Sequence, residues 1–312
     1  MPKSGLAVHR NSFRAGAIGL ATALTLAGCA APAAEADRAD ERPLVLTTFT
    51  VLADIARQVG GDEVRVESLL KTGAEIHGYE PTPSDLVRAS GADLILDNGL
   101  GLEGWFQQFL TTVDVPHAVL SDGVDTLPIA TGHYAGEPNP HAWMSPVVGQ
   151  QYVGNVADAL SGLLPERADV FQANAAAYRE ELQGVADRLE AAVSTLPVDA
   201  RVLVTCEGAF SYLARDAGLD EGFLWAVNSD NEGTPQQIAA TTRLVADRDV
   251  PTVFCESTVN DAVQRQVART TGAAFAGPLY VDSLSRPDGP VPSYLDLLEH
   301  DVDVITKGLA HD

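Results

Sequence analysis

Residues 165–196 read PERADVFQANAAAYREELQGVADRLEAAVSTL, and this stretch decides how the chain is organised. After Pro165 it contains no proline and few β-branched residues, whereas Ala, Glu, Leu, Gln and Arg are abundant and apolar residues recur at helical spacing. The stretch therefore predicts one helix of about 45 Å at a rise of 1.5 Å per residue. Such a helix would connect the two flanking segments rigidly and would restrict hinge closure between them.

Both flanking segments alternate short apolar runs with stretches of helical period. The strand candidates are residues 44–49, 64–70, 93–97 and 118–120 before the long helix, and 201–206, 223–227, 252–255 and 273–276 after it. In the second segment, helices are expected around Tyr212 and over residues 234–247, 259–271 and 293–309. This alternation predicts an α/β fold with mostly parallel sheets. We expect an N-terminal lobe over residues 44–164, the linking helix over 165–196 and a C-terminal lobe over 197–312.

The first residues have the composition of an export signal. Lys3, Arg10 and Arg14 precede an apolar run over residues 15–27 that is too short to span a bilayer, which indicates a signal peptide over residues 1–29. The run ends in LAGC at residues 26–29, which is similar to a lipobox and implies lipidation of Cys29; a cysteine that merely follows a cleavage site is the alternative. Residues 30–43 are rich in Ala, Asp, Glu and Arg and predict a flexible tether. We expect an extracytoplasmic domain that is anchored to the cell membrane through lipid.

The charge balance is strongly acidic. Asp and Glu outnumber Lys and Arg by 43 to 20, a formal net charge of −23, which argues against nucleic-acid binding. The acidic surface could attract cations or could serve solubility alone, and the composition leaves both open.

Four short motifs each contain a residue type that binds divalent metal ions. They are GAEIHGYEPTPSD (73–85) with His77, NPHAWMSP (139–146) with His141, VTCEGAF (204–210) with Glu207, and LYVDS (279–283) with Asp282. Two imidazoles and two carboxylates would form a neutral site with one divalent cation, which is the main electrostatic condition for burying that ion. Helix-start signals follow both histidines and predict that each lies on a turn anchored to a helix.

Two further cysteines, Cys206 and Cys255, both follow apolar runs rich in β-branched residues, and each is followed by Glu. If the two strands are neighbours, the sulfurs could form a disulfide in an oxidising compartment. The alternative is that both are small buried hydrophobic residues.

Together these motifs resemble the cluster A-I metal-binding solute-binding proteins of ABC importers, a group that delivers manganese, zinc or ferrous iron. The resemblance extends over residues 44–309 and also includes the Glu-Gly-Thr-Pro run at 232–235 and the Glu-Ser pair at 256–257. It implies two (β/α)4 lobes joined by a backbone helix, with the metal in the cleft between them. It also implies the ligand set His77, His141, Glu207 and Asp282, an ABC permease as partner, no enzymatic activity and a monomeric state.

The third ligand position bears on the choice of metal. In the zinc branch of the family that this chain resembles, the third position is a histidine, and an acidic, histidine-rich loop precedes the second ligand. This chain has Glu207 at the third position, and His133 is the one histidine in residues 121–140. The pattern resembles the manganese branch, so Mn²⁺ is the expected transported ion, with Zn²⁺ or Fe²⁺ as alternatives. Many relatives have Asp-Pro before the first histidine where this chain has Glu75-Ile76, and we interpret Glu75 as a neighbour of the site rather than a ligand. The Cys206 and Cys255 pair matches a subset of manganese-type members.

The remaining candidate residues receive ordinary structural roles. Four histidines are expected to make structural hydrogen bonds: His117, His133, His300 and His311. Asp85 and Glu256 are expected to cap helices, and Trp143 and Tyr79 to shield the site from water. A metallohydrolase would need an open coordination position and a general base, and no HExxH or GxSxG motif is present. A role as a surface adhesin has no separate support in the sequence.

Overall fold

A computed structural model of the protein describes residues 41–227 and 233–310. The expected signal peptide, Cys29, most of the expected tether, Glu232 and His311 lie outside these ranges. The described residues from Arg42 onward form one compact unit. Within the described ranges, no helix combines the length and apolar composition needed to cross a bilayer.

The N-terminal lobe contains one parallel sheet. Its strands are β1 (Leu44–Thr47), β2 (Arg65–Ser68), β3 (Leu94–Asp97) and β4 (His117–Val119), in the order β2-β1-β3-β4. Its helices are α1 (Thr50–Gly60), α2 (Pro83–Ser90), α3 (Gly104–Leu110) and α4 (Pro146–Leu163). β1 and β3 are buried along their whole length, as expected for the central strands of a sheet covered on both faces.

The described residues of the C-terminal lobe form four strands in two parallel pairs. They are β5 (Val202–Glu207) with β6 (Asp220–Trp225), and β7 (Thr252–Glu256) with β8 (Ala274–Leu279). Its helices are α6 (Ser211–Ala217), α7 (Pro235–Asp247), α8 (Ala262–Thr271) and α9 (Tyr294–Leu309).

The two strand pairs meet along β5 and β7, where a side chain and a disulfide replace part of the backbone ladder. The buried Gln264 of α8 donates its Nε2 to the carbonyls of Val204 (3.3 Å) and Phe254 (3.0 Å). Cys206 and Cys255 form the expected disulfide, with their Cα atoms 4.9 Å apart. These contacts bring the ends of β5 and β7 together.

The long helix is present as α5 (Ala168–Ser194), preceded by a 3-10 turn over Pro165–Arg167. Its buried residues recur every three or four positions and form one stripe: Phe171, Ala175, Tyr178, Leu182, Val185, Leu189 and Val193. The helix packs against α1 and α4 of the first lobe and against α9 of the second. One hydrophobic core therefore extends from β1 through α5 to α9. The lobe boundaries at residues 164/165 and 196/197 remain a prediction.

Candidate metal centre

The loop between β2 and α2 presents His77. The Glu75 carboxylate accepts hydrogen bonds from the backbone N–H groups of His77 (2.6 Å) and Gly78 (2.7 Å), and Trp105 Nε1 donates to the carbonyl of Ile76 (3.1 Å). Ile76 itself is fully buried. The backbone on both sides of His77 is therefore held in place.

Farther along this loop, the start of α2 is anchored by a capping box between Thr82 and Asp85. Asp85 caps the helix as expected, and it also accepts a hydrogen bond from the Tyr79 hydroxyl (2.8 Å). Tyr79 packs edge-on against Trp105, with ring centroids 4.9 Å apart.

His141 lies at the end of the long loop after β4 and is fully buried. Its backbone N–H (3.0 Å) and its Nδ1 (3.1 Å) both contact Asn139 Oδ1. Because the backbone N–H can only donate, the facing Asn139 atom must be the oxygen, and Nδ1 must carry the ring proton. This tautomer leaves the Nε2 lone pair free to bind a metal ion.

Glu207 and Asp282 come from the C-terminal lobe and are both buried. Glu207 is the last residue of β5, directly after Cys206. Asp282 follows β8, where Trp143 Nε1 of the other lobe donates to the carbonyl of Val281 (3.2 Å). Asp282 Oδ1 is buried without a hydrogen-bond partner within the described residues, an arrangement that favours a cation as its partner.

The four candidate side chains converge at the cleft between the lobes. Nε2 of His77 and Nε2 of His141 are 3.2 Å apart, and Glu207 Oε1 lies 3.6 Å from the former and 4.0 Å from the latter. Asp282 Oδ1 lies 3.9 Å from His141 Nε2. Ligands about 2.0–2.2 Å from one central ion lie roughly 3 to 4 Å from one another. The spacing of His77, His141 and Glu207 therefore suits one shared ion, and Asp282 lies beside this group through its contact with His141.

The electrostatics of the centre follow from burial. Burial, together with the charge of His77, lowers the pKa of His141 well below its usual value, so His141 is neutral at neutral pH. Burial raises the pKa of Asp282 to about 6, opposed by His77 and reinforced by Glu75. Neutral imidazoles and ionisable carboxylates are the forms that coordinate metal.

Glu256 was expected to cap a helix, and this expectation is wrong. It ends β7, is buried, and both of its carboxylate oxygens lie 3.3 Å from the backbone nitrogen of Glu207. Burial raises its pKa to about 8. Glu256 and Glu207 are 49 residues apart in the chain, and their contact depends on the close approach of β5 and β7, which the local sequence does not show.

Trp143 and Tyr79 were both expected to shield the site, but they differ in whether they contact a candidate ligand. Trp143 is fully buried and packs against His141, with ring centroids 5.3 Å apart. Tyr79 contacts Asp85 and Trp105, both of which lie outside the candidate ligand set. Of the other described histidines, His300 contacts the carbonyl of Pro278 (3.0 Å), and neither His117 nor His133 belongs to a group of potential ligands.

Asn139 is the residue that sequence reasoning missed. Its Nδ2 donates to the carbonyl of Gly208 (2.7 Å), so one side chain orients His141 and contacts the residue next to Glu207. The signal was present in the Asn-Pro-His motif, but the partner of Asn139 lies 69 residues away.

A two-lobed α/β fold with a histidine and carboxylate cluster between the lobes is the arrangement expected of a metal-binding protein. Residues 45–308 match the family model ZnuA, described as zinc-uptake complex component A, periplasmic. The chain belongs to this family of metal-binding proteins of ABC importers, which are substrate-binding proteins rather than enzymes. The family places the protein outside the cytoplasm, as the sequence predicted.

Individual relatives carry the names of different metals. The chain is 47% identical over 265 residues to the iron-binding protein YfeA of Yersinia pestis, covering 85% of each chain. It is 34% identical to the manganese-binding lipoprotein MntA of Halalkalibacterium halodurans, covering 92% of this chain and 95% of that one. Among solved structures, the Mn-bound periplasmic metal binding protein from Candidatus Liberibacter asiaticus has a TM-score of 0.80 at 34% identity, covering 86% of this chain and 100% of that one.

Proposed function

We propose that the protein binds one divalent transition-metal ion outside the cytoplasm, foremost Mn²⁺, and delivers it to the membrane permease of an ABC importer. His77, His141, Glu207 and Asp282 are the proposed ligands. The observation that carries the proposal is their convergence from two lobes, with the measured ligand-atom pairs 3.2–4.0 Å apart.

The donor set supports manganese as the cargo. Two carboxylates make the site harder than one dominated by imidazoles, and either carboxylate can bind in a bidentate manner, which raises the coordination number above the four that zinc prefers. Intrinsic affinity still rises from Mn²⁺ to Zn²⁺ at a site of this kind. Selection of manganese therefore depends on geometry, on metal supply and on what the permease accepts. Ferrous iron is the second candidate, because the 47% identical relative is named for iron.

The metal preference can be tested on chelated protein beginning at residue 30. Competitive titration with Mn²⁺, Zn²⁺ and Fe²⁺ should give submicromolar Mn²⁺ binding and a large rise in melting temperature. His141→Ala and Asp282→Ala should weaken binding by orders of magnitude, whereas His300→Ala, outside the site, should bind as the wild type does. Tight Zn²⁺ binding with no measurable Mn²⁺ binding would make the cargo zinc.

The role of Glu207 has its own experiment. Glu207→His replaces a carboxylate with an imidazole and should shift the ratio of Mn²⁺ to Zn²⁺ affinity toward zinc by at least about tenfold. An unchanged ratio would show that Glu207 does not set the preference.

Delivery and anchoring need cellular tests. Metal accumulation in cells that contain the permease should require this protein, and His141→Ala should abolish the accumulation. We propose that Cys29 carries the lipid anchor, so Cys29→Ala should move the protein from the membrane fraction to the soluble fraction. We also propose that the protein is a monomer, which sedimentation would measure.

A further inference from the structure

A second group of potential ligand atoms lies beside the one described above. One atom each from Glu75, His77 and Asp282 lie within 4.8 Å of one another, as do one atom each from His77, His141 and Glu207. The two groups share His77. Glu75 is solvent-exposed, whereas His141 and Glu207 are buried. His77 is partly buried and Asp282 is buried, so the second group extends from the surface at Glu75 into the centre.

Glu75 is held in position for this contact. Its two oxygens each accept one backbone N–H, from His77 (2.6 Å) and Gly78 (2.7 Å). Each carboxylate oxygen retains a further lone pair, so these hydrogen bonds fix the carboxylate without using up its capacity to bind a cation. Asp282 in turn is buried, and its Oδ1 has no hydrogen-bond partner within the described residues, which leaves it able to bind a cation.

We infer that Glu75, His77 and Asp282 form an outer, transient binding site for the arriving divalent cation, which then moves inward when His141 and Glu207 replace Glu75. The inference rests on the proposed function. An ion that exchanges ligands stepwise need not lose all its water before it reaches the buried carboxylate of Glu207. An exposed carboxylate at the rim also raises the local concentration of cations.

The kinetics of metal binding distinguish a transient ligand from a permanent one. In Glu75→Gln, the association and dissociation rates of Mn²⁺ should both fall about tenfold, with little change in Kd, because a transient ligand stabilises the path and not the final complex. Stopped-flow mixing with a fluorescent chelator measures both rates. Glu80→Gln is the matched control, since Glu80 is an exposed glutamate of the same loop.

Three results would overturn the inference. An association rate equal to that of Glu80→Gln would remove Glu75 from the path of the ion. A rise in Kd that comes entirely from faster dissociation would make Glu75 a permanent ligand. A fall in the melting temperature of the metal-free protein, with rates unchanged, would leave Glu75 as a loop cap only.

The outer site can also be isolated. The double variant His141→Ala, Glu207→Ala should retain weak Mn²⁺ binding, detected by electron paramagnetic resonance, and adding Glu75→Gln should abolish it. Residual binding that survives Glu75→Gln would contradict the inference; if the double variant does not fold, the kinetic test decides. Wild-type protein that binds no metal would instead refute the proposed function, so the two failures are distinguishable.

Discussion

Asn139 shows how a single side chain can prepare a buried ligand. Its Oδ1 faces both the backbone N–H and the Nδ1 of His141, which fixes the tautomer and the orientation of the ring. Its Nδ2 reaches Gly208, next to Glu207. Asn139 thus contacts His141 of one lobe and the residue next to Glu207 of the other.

We predict that Asn139→Ala lowers Mn²⁺ affinity by about 10- to 100-fold, because His141 loses the acceptor that sets its tautomer. Competition against a chelator of known affinity measures the change. The control is Asn174→Ala, which removes a hydrogen bond to the carbonyl of Val59 outside the site. Equal losses in both variants would show a general effect on the fold and not a specific effect on His141.

The pH dependence of binding follows from Asp282 and His141. Asp282 must be deprotonated to bind metal, and its pKa of about 6 means that protons compete increasingly as the pH falls through 6. The lowered pKa of His141 keeps it neutral at higher pH, so it adds no competition there. We predict that Mn²⁺ affinity is nearly constant above pH 7 and falls by about tenfold per pH unit below 6 for each proton displaced. Titrations between pH 7.5 and 5 that give equal affinities would contradict this.

Ionisation of Asp282 affects folding stability in the opposite direction to metal affinity. Its pKa in the folded protein lies above the ordinary value of 3.8, so its contribution to stability is present at low pH and is lost as the pH rises through about 6. A bound cation would offset this loss, because it stabilises the ionised form.

At the level of residues, the sequence indicated which side chains would meet but not what supports them. His77 and Glu207 come from motifs 130 positions apart, yet residue type and resemblance were enough to pair them. Asn139 and Glu256 support the candidate ligands by contacting backbone groups of other elements: the carbonyl of Gly208 and the N–H of Glu207. No local pattern encodes such a partner, so these roles require coordinates.

At the level of elements, strand ends place the centre. Glu207 ends β5 and Asp282 follows β8, while the two histidine loops follow β2 and β4, so all four lie at carboxyl ends of parallel strands. Apolar runs predicted each of the eight strands in the described residues to within a few positions. The cysteines at the ends of two of these runs predicted the disulfide between β5 and β7. The apolar runs could not predict the contact through Gln264, because it depends on a side chain of α8.

The disulfide supports the strand that ends in Glu207. Its cysteines are 49 residues apart, and in the chain-entropy model a loop of this length contributes about 4 kcal/mol to the free energy of unfolding. We predict that Cys206→Ser, Cys255→Ser lowers the melting temperature and weakens Mn²⁺ binding. Thermal melts and metal titrations with and without reductant measure both effects. Equal Mn²⁺ affinity in oxidised and reduced protein would refute a redox effect on the metal centre.

At the level of the whole molecule, α5 unites the lobes. Its buried stripe belongs to a hydrophobic core that includes residues of α1 and α9. The composition of residues 165–196 predicted the helix, and the structure differs only at its ends, where Pro165–Arg167 form a 3-10 turn. The sequence did not show that one core would extend through both lobes.

We therefore predict one cooperative unfolding transition for the metal-free protein. Calorimetric and van't Hoff enthalpies should agree, and free Mn²⁺ at about 1,000 times its Kd should add about 4 kcal/mol to the free energy of unfolding. Leu182→Ala, at a fully buried position of α5, should cost about 2–5 kcal/mol without splitting the transition. Two resolved transitions would show that the lobes unfold separately.

The hydrogen bonds across the cleft have a consequence for transport. Asn139 donates to Gly208 and Trp143 donates to Val281, and neither bond uses a candidate ligand atom. The lobes are thus joined by contacts that use no candidate ligand atom, so we expect full and empty carriers to present similar outer surfaces. An importer that must not waste its cycle on empty carriers would then have to sense small differences near His77, and empty carriers in excess would compete with full ones for docking.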